Sequence, residues 1–201
     1  MPMTLYYAPG GISRAVHIAL REAGLPFTLE KADPHANTTA SGGAYTDVNP
    51  GGFVPTLRLE NGDILTETIA LLPYIADLAP TKKLAPPAGT MERFRLHELL
   101  SFIATEVYKL FFAFGDAKDV AAISAKMQRR LAQLERRQAG RTWLLGGAFG
   151  VADAYLFVNV SWAPLVGIDL TPYPNLLAWQ ARVAARPAVK EAIEVEGPMQ
   201  H

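Results

Sequence analysis

The chain has 201 residues, and half of them are hydrophobic, which suffices for one large domain or two small domains with genuine cores. Its nineteen basic and nineteen acidic side chains balance, so no net field favours nucleic acid or an anionic membrane as a partner. Cysteine is absent, which excludes disulfides, zinc–thiolate sites and any nucleophilic protein thiol. Because we find no leader-like segment and no apolar run of roughly 20 residues, we expect a cytoplasmic protein.

The first 80 residues alternate strand and helix patterns. The predicted strands are residues 4–7, 27–31, 56–59 and 64–66, and the predicted helices are residues 13–23 and 68–78. Asn61-Gly62 between the last two strands is a strong hairpin signal, because both residues tolerate positive φ. The order β-α-β, a long connection, then β-β-α predicts a small sheet with helices on its faces, as in a thioredoxin-like α/β domain.

The second half of the chain shows helical patterns alone. A proline-rich stretch, LAPTKKLAPPAG at residues 78–89, predicts a linker. Apolar residues at three-and-four spacing then predict helices over residues 91–114, 119–138, 151–163, 175–185 and 188–194. We therefore predict a thioredoxin-like domain over residues 1–80, a linker over residues 81–89, and an all-α domain over residues 90–201.

Ser13 stands between the first strand and the first helix, in the sequence GISRA. Its hydroxyl is compatible with three roles: an N-cap of the helix, a nucleophile, or a hydrogen-bond donor to a thiolate from another molecule. Serine hydrolysis is disfavoured, because that chemistry needs an acid and a histidine carried by later strands, and the second half of the chain has no predicted strands to carry them. No metal site is predicted either, since the histidines show no metal-ligand spacing; these are His17, His35, His97 and His201.

Two further motifs lie in the first domain. In FVPT, Pro55 directly precedes a strand, where a cis Val54–Pro55 bond would leave the Val54 peptide groups as an unpaired edge; a trans edge proline is the alternative. Glu67 and Thr68 lie at a helix N-terminus, which attracts a carboxylate ligand, although ordinary helix capping explains them as well. Together, an unpaired backbone edge and a helix N-terminus that attracts a carboxylate would suit a small peptide as the ligand.

The chain resembles bacterial glutathione transferases, particularly the beta class, almost from end to end. The segments that carry the resemblance are LYYAPGGIS, HIALREAGLPF, VNPGGFVPTL, GDILTETIAL, YIADLAP, LLSFIATEVYKLF, GVADAYLF and WQARVAARPAV. The resemblance implies a thioredoxin-like N-terminal domain, an all-α C-terminal domain, and a homodimer. It implies that Val54 beside a cis Pro55 pairs with the cysteinyl unit of glutathione, and that Glu67 and Thr68 hold the γ-glutamyl end.

The active site departs from the beta-class pattern, and one departure is Asn37, which stands where a cationic residue is often found after the second strand. Ile12 stands where the beta class has a cysteine, and Tyr108 stands where it has a histidine. A mixed disulfide with the protein is therefore excluded, but conjugation needs only that the glutathione thiol be held as a thiolate. We rank the candidate donors as Ser13, then Tyr7, then Tyr108.

The resemblance also implies a pocket for a small hydrophobic electrophile between the domains. Its candidate lining is Ile12, Tyr108, Phe111, Phe112, Phe114 and Trp162. The expected function is transfer of glutathione, as co-substrate without a bound cofactor, to such an electrophile. The alternative is a glutathione-binding or regulatory protein of the same fold with reduced catalysis, since the cysteine and histidine are missing.

Overall fold

The computed structural model describes residues 2–114 and 119–197, so His201 lies outside the described residues. The chain folds as two compact units. The first unit holds the chain up to Leu84 together with the segment from Pro187 onward, and the second is Ala85–Arg186. The sequence placed the last helix in the all-α domain, whereas its contacts group it with the thioredoxin-like unit.

The elements follow the predicted order closely. The strands are β1 (Met3–Tyr7), β2 (Phe27–Asp33), β3 (Thr38–Thr39), β4 (Thr56–Arg58) and β5 (Ile64–Thr66). The helices are α1 (Ser13–Ala23), α2 (Thr68–Leu78), α3 (Met91–Phe102), α4 (Lys109–Ala113), α5 (Val120–Gln138), α6 (Val151–Ser161), α7 (Pro174–Ala184) and α8 (Pro187–Glu196). A π-helical turn, Ile103–Tyr108, joins α3 to α4.

The first unit is built on a mixed sheet with the strand order β3-β2-β1-β4-β5. β1 and β2 are parallel, and the other pairs are antiparallel. The sequence did not predict β3, because two residues are too few to show a period. α1 ends at Gly24, whose φ of 67° lies in the left-handed region that favours glycine.

The register of the sheet decides which residues share one of its ends. Tyr6 of β1 pairs with Thr56 of β4, and Thr56 also pairs with Thr66 of β5. Tyr7 follows Tyr6, Pro55 precedes Thr56, and Glu67 follows Thr66, so these three residues lie at the same end of adjacent strands. We call this end of the strands the binding end of the sheet.

The second unit is helical and is organised around the buried carboxylate of Asp153, near the start of α6. This carboxylate accepts hydrogen bonds from the Leu144 and Gly150 backbone N–H groups, both at 3.0 Å, and from Trp179 Nε1 at 2.7 Å. Burial raises the pKa of Asp153, and the three donors oppose that shift. Gly150 has no side-chain oxygen to return a bond, so half of a capping box is present, and the role of Asp153 is in folding.

Within residues 2–114 and 119–197, no helix is both long enough and apolar enough to cross a bilayer.

Candidate active site

A buried polar network fixes the loop that precedes β4. The Phe53 carbonyl accepts hydrogen bonds from the Tyr45 hydroxyl at 2.9 Å and from Asn49 Nδ2 at 2.8 Å. Tyr45 is also 2.7 Å from Thr56 Oγ1, and Asn49 Nδ2 donates to the same oxygen at 3.0 Å. Burial raises the pKa of Tyr45, so its phenol stays protonated and remains a donor. The sequence analysis missed this network, because Tyr45 and Asn49 lie in an irregular connection without a pattern.

The network orients the peptide group of Val54. A trans peptide places its C=O and N–H on opposite sides, so a Phe53 carbonyl that points into the network turns the Val54 N–H away from it. No residue in the described part of the chain accepts a hydrogen bond from that N–H. The Val54–Pro55 bond is cis. Val54 therefore presents an unpaired backbone donor at the binding end.

The N-terminus of α2 supplies further donors. Glu67 occupies the N-cap position with φ of 68° and ψ of 114°, and its exposed side chain makes no capping bond. Thr68, the first helical residue, is buried. The first amides of a helix have no partner within it and carry the positive end of its dipole, so this terminus favours a carboxylate, while the Glu67 side chain is free to meet an ammonium group.

The dimensions of the binding end match a tripeptide. Neighbouring strands lie about 4.8 Å apart, so two strand spacings, from β1 through β4 to β5, separate Tyr7 from Glu67 by roughly 10 Å. An extended chain spans about 3.3 Å per residue, which gives a similar length for three residues. Val54 lies beside the middle strand of the three.

Ser13 lies at the start of α1, where its hydroxyl closes a ring with Ala8. The fully buried Oγ accepts a hydrogen bond from the Ala8 N–H at 3.1 Å and donates to the Ala8 carbonyl at 3.2 Å. The alternative role as N-cap is wrong, because Ile12 holds that position and has no capping side chain. The hydroxyl satisfies the backbone of the preceding loop instead of the free amides of the helix.

Tyr7 ends β1 with a half-buried side chain. Among the residues that the structure describes, none makes a hydrogen bond to its hydroxyl. Desolvation raises the pKa of Tyr7, and the negative charges of Glu196 and Glu30 raise it further. The phenol therefore keeps its proton at neutral pH and is available as a donor.

A buried ionic cluster, which the sequence analysis missed, holds the loop between β1 and α1. The carboxylate of Glu196 in α8 accepts hydrogen bonds from the Gly10 N–H at 3.2 Å and from Arg14 Nε at 2.9 Å, and it lies 2.8 Å from His17 Nδ1. Arg21 Nε donates to His17 Nε2 at 2.8 Å, so the imidazole proton sits on Nδ1 and is donated to Glu196. α8 thereby fixes the backbone just before Ile12 and Ser13.

Four of the aromatic residues named for the electrophile pocket come together in the second unit. The ring of Tyr108 lies 4.8 Å from that of Phe112 and 5.9 Å from that of Trp162. Phe111 also contacts Trp162, at 5.9 Å. Phe112 is 61% exposed, while Phe111 and Trp162 are buried. This aromatic cluster offers an apolar surface next to the π-helical turn, a feature that is often found at functional sites.

The other two candidates for the pocket make no ring contact with this cluster among the contacts of the described residues. Ile12 is buried in the first unit, and Phe114 follows the end of α4. Within the described ranges, no group of three histidine or acidic side chains is arranged to hold a metal ion.

Comparison with known proteins gives consistent matches over the whole chain. Residues 12–78 match the family described as glutathione S-transferase, N-terminal domain, and residues 67–187 match its C-terminal domain. Glutathione S-transferase GstA of Escherichia coli O157:H7 is 36% identical over 97% of this chain and 99% of that protein.

Solved structures agree with these matches. A sphingomonad glutathione S-transferase complexed with glutathione has a TM-score of 0.93 and 42% identity, over 96% of this chain and 98% of that chain. A bacterial beta class enzyme of Sphingomonas chungbukensis has a TM-score of 0.92 and 41% identity over the same shares.

Proposed function

Because the chain belongs to the glutathione S-transferase family, we propose that it is an enzyme that conjugates glutathione to small hydrophobic electrophiles. The observation that carries this proposal is the binding end of the sheet. There an unpaired Val54 N–H, a helix N-terminus and the open hydroxyl of Tyr7 follow one another over the length of a tripeptide.

In this proposal the backbone of Val54 pairs with the cysteinyl unit, as an added strand pairs with a sheet edge. The N-terminus of α2 receives the α-carboxylate of the γ-glutamyl end at the amides of Thr68 and the next residue, and the Glu67 carboxylate meets its ammonium group. The cysteinyl sulfur then lies towards β1, on the side of Tyr7 and Ser13.

The chemical step requires the glutathione thiol to be a thiolate at neutral pH. Lowering a thiol pKa from about 8.5 by two units requires about 2.7 kcal/mol of preferential stabilisation of the anion. A hydrogen bond from a hydroxyl to an anion supplies about 1.5–3 kcal/mol. The thiolate attacks the electrophile directly, and the carbon–sulfur bond forms as the leaving group departs with its electron pair, a halide ion in the case of an aryl halide. The proposed step therefore requires neither a protein thiol nor a bound cofactor.

We place Tyr7 first among the three candidate donors. The sequence ranked Ser13 first, but the Ser13 hydroxyl donates to the Ala8 carbonyl and must break that bond to reach a sulfur. The Tyr7 hydroxyl has no bond to break. Tyr108, in the aromatic cluster of the second unit, is the third candidate, and that cluster is the proposed lining for the electrophile.

We also propose that the protein is a cytoplasmic homodimer. Large apolar side chains on both units support an association between copies, since Phe53, Met91 and Phe94 are 77%, 65% and 60% exposed. Sedimentation across micromolar concentrations is expected to give twice the mass of the 21.8 kDa chain. A monomer throughout that range would contradict the dimer.

Glu67→Ala is expected to weaken glutathione binding about tenfold, because the ammonium group of the ligand loses a charge-assisted hydrogen bond worth about 1.5 kcal/mol. The measurement is a titration of tryptophan fluorescence with glutathione. Glu60→Ala is the matched control, since it removes the same charge from the exposed hairpin at the opposite end of the sheet. Equal affinity in both variants would remove Glu67 from the site.

The same titration, run beside a conjugation assay with a generic aryl halide, separates the proposed enzyme from the alternative. Saturable binding with turnover is the expected result. Binding without turnover on any of several electrophiles would favour a glutathione-binding or regulatory protein, which the missing cysteine and histidine would explain. The absence of saturable binding at millimolar glutathione would contradict both functions.

A further inference from the structure

A cavity of about 680 Å³ lies entirely within the second unit. It is bounded by the start of that unit at Pro86 and Pro87, by one side of α3, and by the end of α5 with the residues that follow it. The charged residues of its lining are Glu92, Arg95, Glu98, Arg137 and Arg141. Its volume falls within the range of small-molecule sites.

The arginines of this cavity differ in their partners. Arg95 donates to Glu98 at 2.9 Å, so these two charges offset each other. Arg137 and Arg141 form no ion pair and no side-chain hydrogen bond with any residue in the described part of the chain. Two guanidinium groups without an ion-pair partner among the described residues thus lie four residues apart on the same cavity, and the Glu98 carboxylate, already paired with Arg95, acts on Arg137 only from beyond ion-pair distance.

Arg137 is also partly withdrawn from water. It is half-buried, and its Nε is a buried nitrogen without a hydrogen-bond partner. Desolvation lowers the pKa of Arg137, and the positive charge of Arg141 lowers it further, while the negative charge of Glu98 opposes the shift without cancelling it. A buried donor without an acceptor destabilises a protein, so a ligand that supplies acceptor oxygens and negative charge here relieves both costs.

We propose that this cavity binds a small organic anion with two oxyanion groups, one for each of Arg137 and Arg141. Guanidinium presents its N–H donors in a planar fork that matches phosphate and carboxylate oxygens, which favours these groups over a halide. The apolar wall formed by Pro86, Pro87 and Leu145 suits a carbon skeleton between or beside the charges. We call it the anion cavity.

The anion cavity is tested by isothermal titration of the full chain with pyrophosphate, and separately with citrate, at low ionic strength. We expect saturable binding with one site per chain. Arg137→Gln and Arg141→Gln should each weaken it at least tenfold, while Arg136→Gln should not, because that residue is exposed and lies outside the lining. Tighter binding of pyrophosphate would identify a phosphate ligand, and tighter binding of citrate a polycarboxylate.

Three results would overturn the proposal. The first is that the wild type binds neither anion saturably. The second is that Arg136→Gln weakens anion binding as much as the other two variants do, which would indicate a diffuse charge effect. The third is that Arg141→Gln changes the sedimentation of the protein without weakening anion binding. The last result would make the cavity an interface between copies. Arg141 is exposed, so its variant tests the site even if Arg137→Gln does not fold. Saturating glutathione should leave the anion affinity unchanged.

Discussion

Replacement of Glu196 by alanine is expected to lower the free energy of unfolding by about 3–5 kcal/mol, because it leaves a buried charge without its partner. The Glu196 side chain is completely buried, and it contacts the backbone of Gly10 as well as Arg14 and His17. Without its carboxylate, Arg14 Nε and the Nδ1–H of His17 lose their acceptor in the interior, and the Arg14 guanidinium keeps only the neutral carbonyl of Gly197 as an acceptor. Chemical denaturation followed by circular dichroism measures the loss.

Glu194→Ala is the matched control for this substitution, since it removes the same charge from an exposed position on the same helix. We expect it to change the free energy of unfolding by less than about 0.5 kcal/mol. If Glu196→Ala stayed within 1 kcal/mol of this control, the ionic cluster would not stabilise the first unit. Glu196→Gln keeps the shape of the side chain and should fall between the two.

Tyr7→Phe is expected to lower the rate of conjugation at pH 7 by about 10- to 100-fold, which corresponds to the loss of a hydroxyl hydrogen bond of about 1.5–3 kcal/mol to the thiolate. A donor to S⁻ stabilises the charged form, so its removal raises the pKa of the bound thiol. The midpoint of the pH–rate profile should therefore move up by one unit or more, while the affinity for glutathione stays constant.

Ser13→Ala separates this mechanism from a purely structural one. The variant leaves the Ala8 N–H without its partner and removes one of the two donors to the Ala8 carbonyl, which keeps the Gly11 N–H, so we expect it to lose about 1–2 kcal/mol of stability with the pH profile unmoved. A profile that moved in Ser13→Ala and not in Tyr7→Phe would make Ser13 the donor. If neither variant moved it, Tyr108 or backbone donors would hold the sulfur.

The titration of Tyr7 itself should not distort this measurement. Burial and two nearby carboxylates raise its pKa, so the phenol keeps its proton as pH rises through the range in which the thiol ionises. The rising limb of the profile therefore reports the thiol and not the tyrosine.

Local signals in the sequence were sufficient for the elements that position the binding end. α1 has the predicted bounds, because a glycine follows the apolar periodicity, and β5 and α2 follow the Asn-Gly turn as expected. The predicted helix over residues 91–114 contains a π-helical turn instead, since one wider turn leaves the apolar spacing almost unchanged. β3 is too short to leave a pattern.

The contacts within the site were less accessible from the sequence. The Ser13–Ala8 ring depends on the path of a five-residue loop, which no periodicity records. His17 and Glu196 are 179 positions apart, and each alone resembles an ordinary charged or polar residue on a helix. Their pairing follows from the packing of α8 against α1, and that packing makes α8 part of the first unit.

The place of α8 bears on how the protein is made. A ribosome adds about 5–20 residues per second, so His17 leaves it roughly 9 to 36 seconds before its partner 179 positions later. During that interval the whole of the second unit is synthesised and can fold, while the first waits for its last helix. The binding end of the sheet, although encoded first, is therefore completed only after the second unit, and glutathione should be bound only once α8 has left the ribosome.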